Sequence, residues 1–200
     1  TYGFLRGNKG GALVIQQHHG KYYEQNARGN VYHGRSASTG IALIVPATTG
    51  GHPTLWNPSG SGVNLSVISV ELAWLSGTEA PTALEWASTA NAGAAAATGS
   101  PIATATLVAS TSMLAGSGNV GAGLWSPTTN SFTAAPVFFR TLGIGLKTAT
   151  AAAVIIGSKW TVQYDGDLVL APGFALSLCS QAATTTALFQ VGVTWEEIPT

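Results

Sequence analysis

The chain has 200 residues, of which 46% are hydrophobic but only 8% charged, with a net charge of +0 and one cysteine. The length suits one domain built on one core, and the charged share is far below the roughly one quarter usual in globular chains. No apolar run approaches the ~20 residues of a bilayer-crossing helix, no disulfide can form within the chain, and the neutral balance argues against nucleic acid as a partner.

From the N-terminus, TYGFLRGNKGG has no apolar core of a signal peptide, and Thr1 suggests removal of an initiator Met. Residues 1–35 hold Arg6, Lys9, Lys21, Arg28 and Arg35 against Glu24, a net +4, while residues 36–200 carry the compensating −4. With much Gly, His and Tyr and few apolar runs, this segment is expected to be a basic arm laid over a neighbouring protein, with a single domain at 36–200. Short strands are expected at Ala12 to Gln16, inside the arm, and at Ile41 to Val45.

In LWNPSGSGVNLSVISVELAWL, residues 55 to 75, a turn-rich loop from Asn57 to Gly62 leads into an alternating run. Val63, Leu65 and Val67 share one phase, and Ile68, Val70, Leu72 and Trp74 share the other. Period-two spacing with β-branched residues predicts a strand. The change of phase predicts a bulge or bend near residue 67, with the strand passing from one packing environment to another.

Further strands are expected at Thr82 to Ser88, Gly123 to Ser126, Val137 to Leu142 and Ser158 to Tyr164. The Ala-rich patch ANAGAAAATGSP, 90–101, is too short and too flanked by Gly to nucleate a helix, and is expected to be a loop. DGDLVLAPGFALSL predicts strand, turn and strand, since Pro172 and Gly173 suit the two central positions of a type II turn. In the C-terminal run Phe189, Val191, Val193 and Trp195 alternate with polar residues and glycine, as in a strand with one buried face. At least eight short strands separated by turn signals imply an all-β, antiparallel β-sandwich of jelly-roll-like type.

Motifs that could carry chemistry do not hold up in context. GSGNVG, 116–121, has the letters of a dinucleotide-binding loop, but no helical stripe follows it and no acid lies about twenty residues on. His18, His19, His33 and His52 lack the spacing of a zinc site, so no metal is expected. Asp165 and Asp167 fit a turn, and Glu196 and Glu197 must point to opposite faces of a strand. Ser59 and Ser61 lie in no nucleophile elbow, and Asn64, Leu65 and Ser66 spell a glycosylation acceptor inside a strand. Cys179 is expected to be a buried, inert thiol. No catalytic residue and no cofactor are expected.

Three blocks in order, LWNPSGSGVNLSVISVEL, DLVLAPGFALSLCS and ALFQVGVTWEEIP, together resemble small virion structural proteins of tailed bacteriophages, of the capsid decoration or cement type. The resemblance covers residues 20 to 199 in patches. It implies a β-sandwich or jelly-roll subunit, often trimeric, that sits on the phage head, binds the major capsid protein and has no catalytic residues. Low charge agrees with a surface meant to be covered by companions. Arg6, Lys9, Lys21, Arg28 and Arg35 of the arm, with Trp56 and Trp125 as aromatic anchors and Trp160 of similar character, are the candidate partner interface. The alternative is a head-fibre or tail-fibre module recognising a host-surface glycan, with the Trp125 to Asn130 loop as its candidate site.

Overall fold

The computed structural model describes residues 20–77, 82–90, 108–132, 134–144, 159–182 and 186–200. These form one short helix, α1 (Tyr23–Ala27), and fourteen strands. In chain order the strands are β1 (Val31–Arg35), β2 (Thr49–Gly51), β3 (Thr54–Asn57), β4 (Val63–Ser76), β5 (Ala83–Ala90), β6 (Val108–Ala109), β7 (Thr111–Ser112), β8 (Leu124–Ser126), β9 (Thr129–Ser131), β10 (Val137–Ile144), β11 (Lys159–Gln163), β12 (Val169–Leu170), β13 (Phe174–Ser180) and β14 (Leu188–Pro199). The expected strand at Ala12 to Gln16 and nearly all of the Ala-rich patch lie outside the described residues.

Two antiparallel sheets pack face to face as a β-sandwich. The first has the order β11-β4-β14-β1-β7, with β12 also paired to β4. The second has the order β10-β5-β13-β3-β8-β6. Between them lies a core that includes Leu65, Val70, Trp86, Trp125, Phe189 and Trp195, all buried. Buried indole and phenol groups pair within it: Trp86 Nε1–H donates to Tyr164 Oη at 2.8 Å. A pair like this keeps large aromatics in a core without the cost of an unmet donor.

The long strand β4 carries the predicted bulge, but its effect is the reverse of the expectation. Its register with β14 runs from Ser69 opposite Thr194 to Val67 opposite Trp195, so Ile68 is the extra residue. One inserted residue shifts side-chain parity by one, which cancels the phase change in the sequence. Leu65 and Val67 before the bulge, and Val70 and Leu72 after it, therefore all enter the same core. The strand does not pass between packing environments; the bulge keeps it in one.

The Ala171-Pro172-Gly173 turn is formed as expected, with Gly173 at φ 87° and Phe174 N–H donating to the Ala171 carbonyl at 3.3 Å. It joins β12 of the first sheet to β13 of the second, and so forms a corner of the sandwich. Asn57, at the end of β3, donates from Nδ2 to the carbonyls of Val63 and Leu170 and ties the loop before β4 to that corner. At Ile41 to Val45 the expected strand reduces to one bridge, Ile41 with Phe189.

The boundary drawn at residue 35 also needs correction. Val31–Arg35 is β1, which lies between β14 and β7 in the first sheet, and Val31 and Tyr32 are buried. Gly34 lets this strand approach the core closely, since a Cβ there would fall 2.5 Å from Trp125 Cγ. The sequence hides the strand because His33 and Arg35 occupy its outer face and only Val31 and Tyr32 are apolar on it.

Candidate functional site

The outer face of the first sheet is built by cross-strand alternation. His33 of β1 lies opposite Thr194 of β14, Arg35 opposite Gly192, and Gly192 opposite Glu71 of β4. Gly192 has no side chain, so the sheet dips there into a hollow of about 300 Å³ bordered by His33, Arg35, Glu71, Lys159 and Gln190. Lys159 on β11 reaches Glu71 at 3.0 Å. His33 Nδ1 lies 3.0 Å from Thr194 Oγ1, and burial holds its imidazole below the usual pKa. At neutral pH the hollow therefore offers a neutral imidazole, one compensated ion pair and the Arg35 cation. Among the described residues no carboxylate lies within ion-pair distance of Arg35.

Arg35 also borders a second, more apolar cleft of about 470 Å³ at the β7 edge of the same sheet, lined by Ala37, Thr111, Met113, Trp125 and Pro127. Trp125 is 1% exposed, and its Nε1–H has no hydrogen-bond partner among the described residues. A buried indole donor without an acceptor is uncommon.

The candidate interface residues scatter. Arg6 and Lys9 lie outside the described residues. Lys21 is bound to Asp165 at 2.5 Å, and Tyr22 Oη donates to the same carboxylate, so this end of the supposed arm is fastened to the turn between β11 and β12. Arg28 caps the C-terminal end of α1 and is exposed. Arg35 stands on the open face of the sheet. Trp56 and Trp125 are not surface anchors: they are 5% and 1% exposed, because Trp56 packs with Phe132 and Ala175 and Trp125 faces the main core. Asn130 is buried as well, which removes the Trp125 to Asn130 loop as a glycan site. Trp160 is half-buried against the core.

The structure brings together one constellation that the sequence order conceals. His52 Nδ1 lies 3.3 Å from Cys179 Sγ, and Asn130 donates from Nδ2 to the His52 carbonyl. Cys, His and Asn together suggest a nucleophilic thiol, but the environment denies it. Both Cys179 and His52 are fully buried, and burial pushes the thiol up to about 12 and the imidazole down to about 4. The Ala47 N–H donates to Nε2 at 3.3 Å, which assigns the ring proton to Nδ1, against the sulfur. A neutral thiol facing a neutral imidazole with no access for substrate is a packing element. The signal was invisible in sequence because 127 residues separate the two partners.

Asp167 and Glu197 are engaged structurally. Asp167 pairs with Arg140 at 2.8 Å, and Arg140 lies over the Tyr164 ring. Glu197 accepts from the backbone N–H groups of Ala122 and Gly123, while the neighbouring Glu196 is on the opposite face of the strand. The GSGNVG segment forms turns and irregular backbone leading to β8. Among the described residues no three His, Cys, Asp or Glu side chains gather where they could hold a metal ion, and no helix is long and apolar enough to cross a membrane. Compared with protein-family models, curated proteins and solved structures, the chain gives no match.

Proposed function

We propose that this chain is a structural subunit of a tailed-phage virion, of the capsid decoration type, which docks on the major capsid protein and assembles with copies of itself, three being favoured. The observation that carries this reading is strand β10, at the end of the second sheet, where Val137, Phe138 and Phe139 are 71%, 40% and 61% exposed. Sheet edges usually carry charge or proline against unwanted pairing, and adjacent exposed aromatics mark a surface meant to be covered. Low overall charge supports the same reading. The described part of the supposed arm belongs to the sandwich, so docking is better assigned to folded surfaces than to a basic tail. Stable attachment comes from several modest contacts per assembly, each made effectively intramolecular by the first.

Native mass measurement of the full chain, with a search for it in purified virions, tests the proposal. Copies that assemble in solution and co-purify with particles are expected, and Phe139→Lys should weaken both. A chain that stays monomeric, is missing from virions and is indifferent to Phe139→Lys would remove the basis for this function.

A further inference from the structure

We propose that the cleft beside Arg35 is a seat for one extended peptide strand of a partner protein, added to the edge of β1 where β7 stops short. Two independent features meet there. The first is an open step of backbone. Along β1 the N–H and C=O groups alternate in direction: Ser36 N–H donates to the Val191 carbonyl on the β14 side, whereas the Val31 carbonyl accepts from Met113 N–H on the β7 side. Arg35 has the parity of Val31 and His33, so its backbone pair faces the β7 edge. The register with β7 ends with His33 opposite Thr111, and the chain just before β7 leaves as β6 to pair with β8 in the other sheet. Among the described residues the Arg35 pair is left without a ladder partner.

The second feature is Trp125, which lines this cleft and whose buried indole N–H lacks an acceptor among the described residues. An incoming strand meets both needs. Its backbone completes the ladder at Arg35, and the residues flanking that position turn inward toward Trp125 and Pro127, where a carbonyl or hydroxyl oxygen can accept the indole proton. The side chain directly opposite Arg35 lies on the outer face beside the guanidinium, which has no ion-pair partner among the described residues. Charge complementarity selects Asp or Glu at that position. The preferred segment is therefore a small or β-branched residue, an acid, and another small or β-branched residue. This inference concerns the chemistry of the cleft and does not depend on a virion location.

The test uses the full chain, labelled with ¹⁵N, and the pentapeptide acetyl-Thr-Val-Asp-Val-Thr-amide, with three controls: Lys in place of Asp, an N-methylated Asp amide, and no peptide across a protein dilution series. The Asp peptide is expected to shift one indole N–H resonance, assigned to Trp125 through Trp125→Phe. It should bind up to about fivefold better than the Lys peptide, the upper end for one cross-strand ion pair. N-methylation should abolish binding. Arg35→Glu, a change on an exposed side chain, should reverse the preference between the Asp and Lys peptides, which keeps the proposal testable if Trp125→Phe does not fold. No indole shift at millimolar peptide, equal binding of the N-methylated peptide, or an unchanged preference in Arg35→Glu would overturn the proposal. So would an indole shift that follows protein concentration alone, which would make the occupant a second copy of the chain.

Discussion

On the first sheet, His33, Arg35, Thr161, Gln190 and Thr194 line an outer face open to solvent, whereas on the second sheet Thr54, Ala87, Ala175, Ser177 and Cys179, all small and two of them hydroxyl-bearing, are fully buried on theirs. The difference is a third layer. The β2–β9 ribbon, with His52 and Phe132 beside it, lies over the second sheet and closes a small separate cluster of Trp56, Phe132 and Ala175. Several polar groups beneath this cover satisfy one another: Thr54 Oγ1 lies 2.8 Å from Ser177 Oγ, and Asn130 donates to the His52 carbonyl and to Thr54, whereas the Trp56 Nε1–H and the Thr89 hydroxyl have no partner among the described residues. Residue polarity therefore does not distinguish an open face from a covered one. What distinguishes them is that the covered face meets most of its hydrogen-bonding needs within the protein and the open face meets them with water.

The sharpest way to break this contrast is to remove the cover. Phe132→Ala should cost about 3–5 kcal/mol, the usual range for a buried Phe cut to Ala, and should open Cys179 to a thiol reagent that leaves the native protein unmodified. Denaturant melts and labelling kinetics measure the two effects, and rapid labelling of the unsubstituted chain would show the cover to be loose.

Acid should act on the covered face through His52. The folded His52 pKa, about 4, lies below the unfolded value of 6.5, so between these values the unfolded state binds more protons and stability rises with pH. This contribution is complete above about pH 6.5 and lost as pH falls to about 4, a change of about 3 kcal/mol. Denaturant midpoints at pH 7 and pH 4.5 should differ accordingly, and His52→Gln should flatten much of that difference.

Asn130→Ala leaves the Ser126 hydroxyl and the His52 carbonyl short of partners, with an expected loss of about 1–3 kcal/mol. A smaller loss would mean that water reaches the layer. At the other extreme, Lys159→Ala removes an exposed ion pair on the open face and should shift stability by less than about 0.5 kcal/mol. A loss as large as that of Asn130→Ala would mean that the open face is in fact covered.

Local rules made much of the fold legible. Alternation marked β4 and β14, the doubled apolar residues at 67 and 68 marked the bulge, and Pro172 with Gly173 marked the corner turn. The same rules missed β1, because Gly34 stands where an inward apolar residue would have revealed the strand, and missed β6 and β7, two-residue strands too short to show a period. For the site, Arg35 was named as a candidate, but with the wrong companions. Trp56 and Trp125 look like surface anchors until the ribbon and the core enclose them.

The sequence alone determined an all-β chain, its longest strands and a buried Cys179, because side-chain parity, turn geometry and residue polarity are all read along the chain. Tertiary structure alone decided which outer face is covered, that His52 meets Cys179, and that β7 ends one step short of Arg35. Those outcomes depend on segments far apart in the chain competing for the same surfaces, and no local pattern encodes which of them arrives.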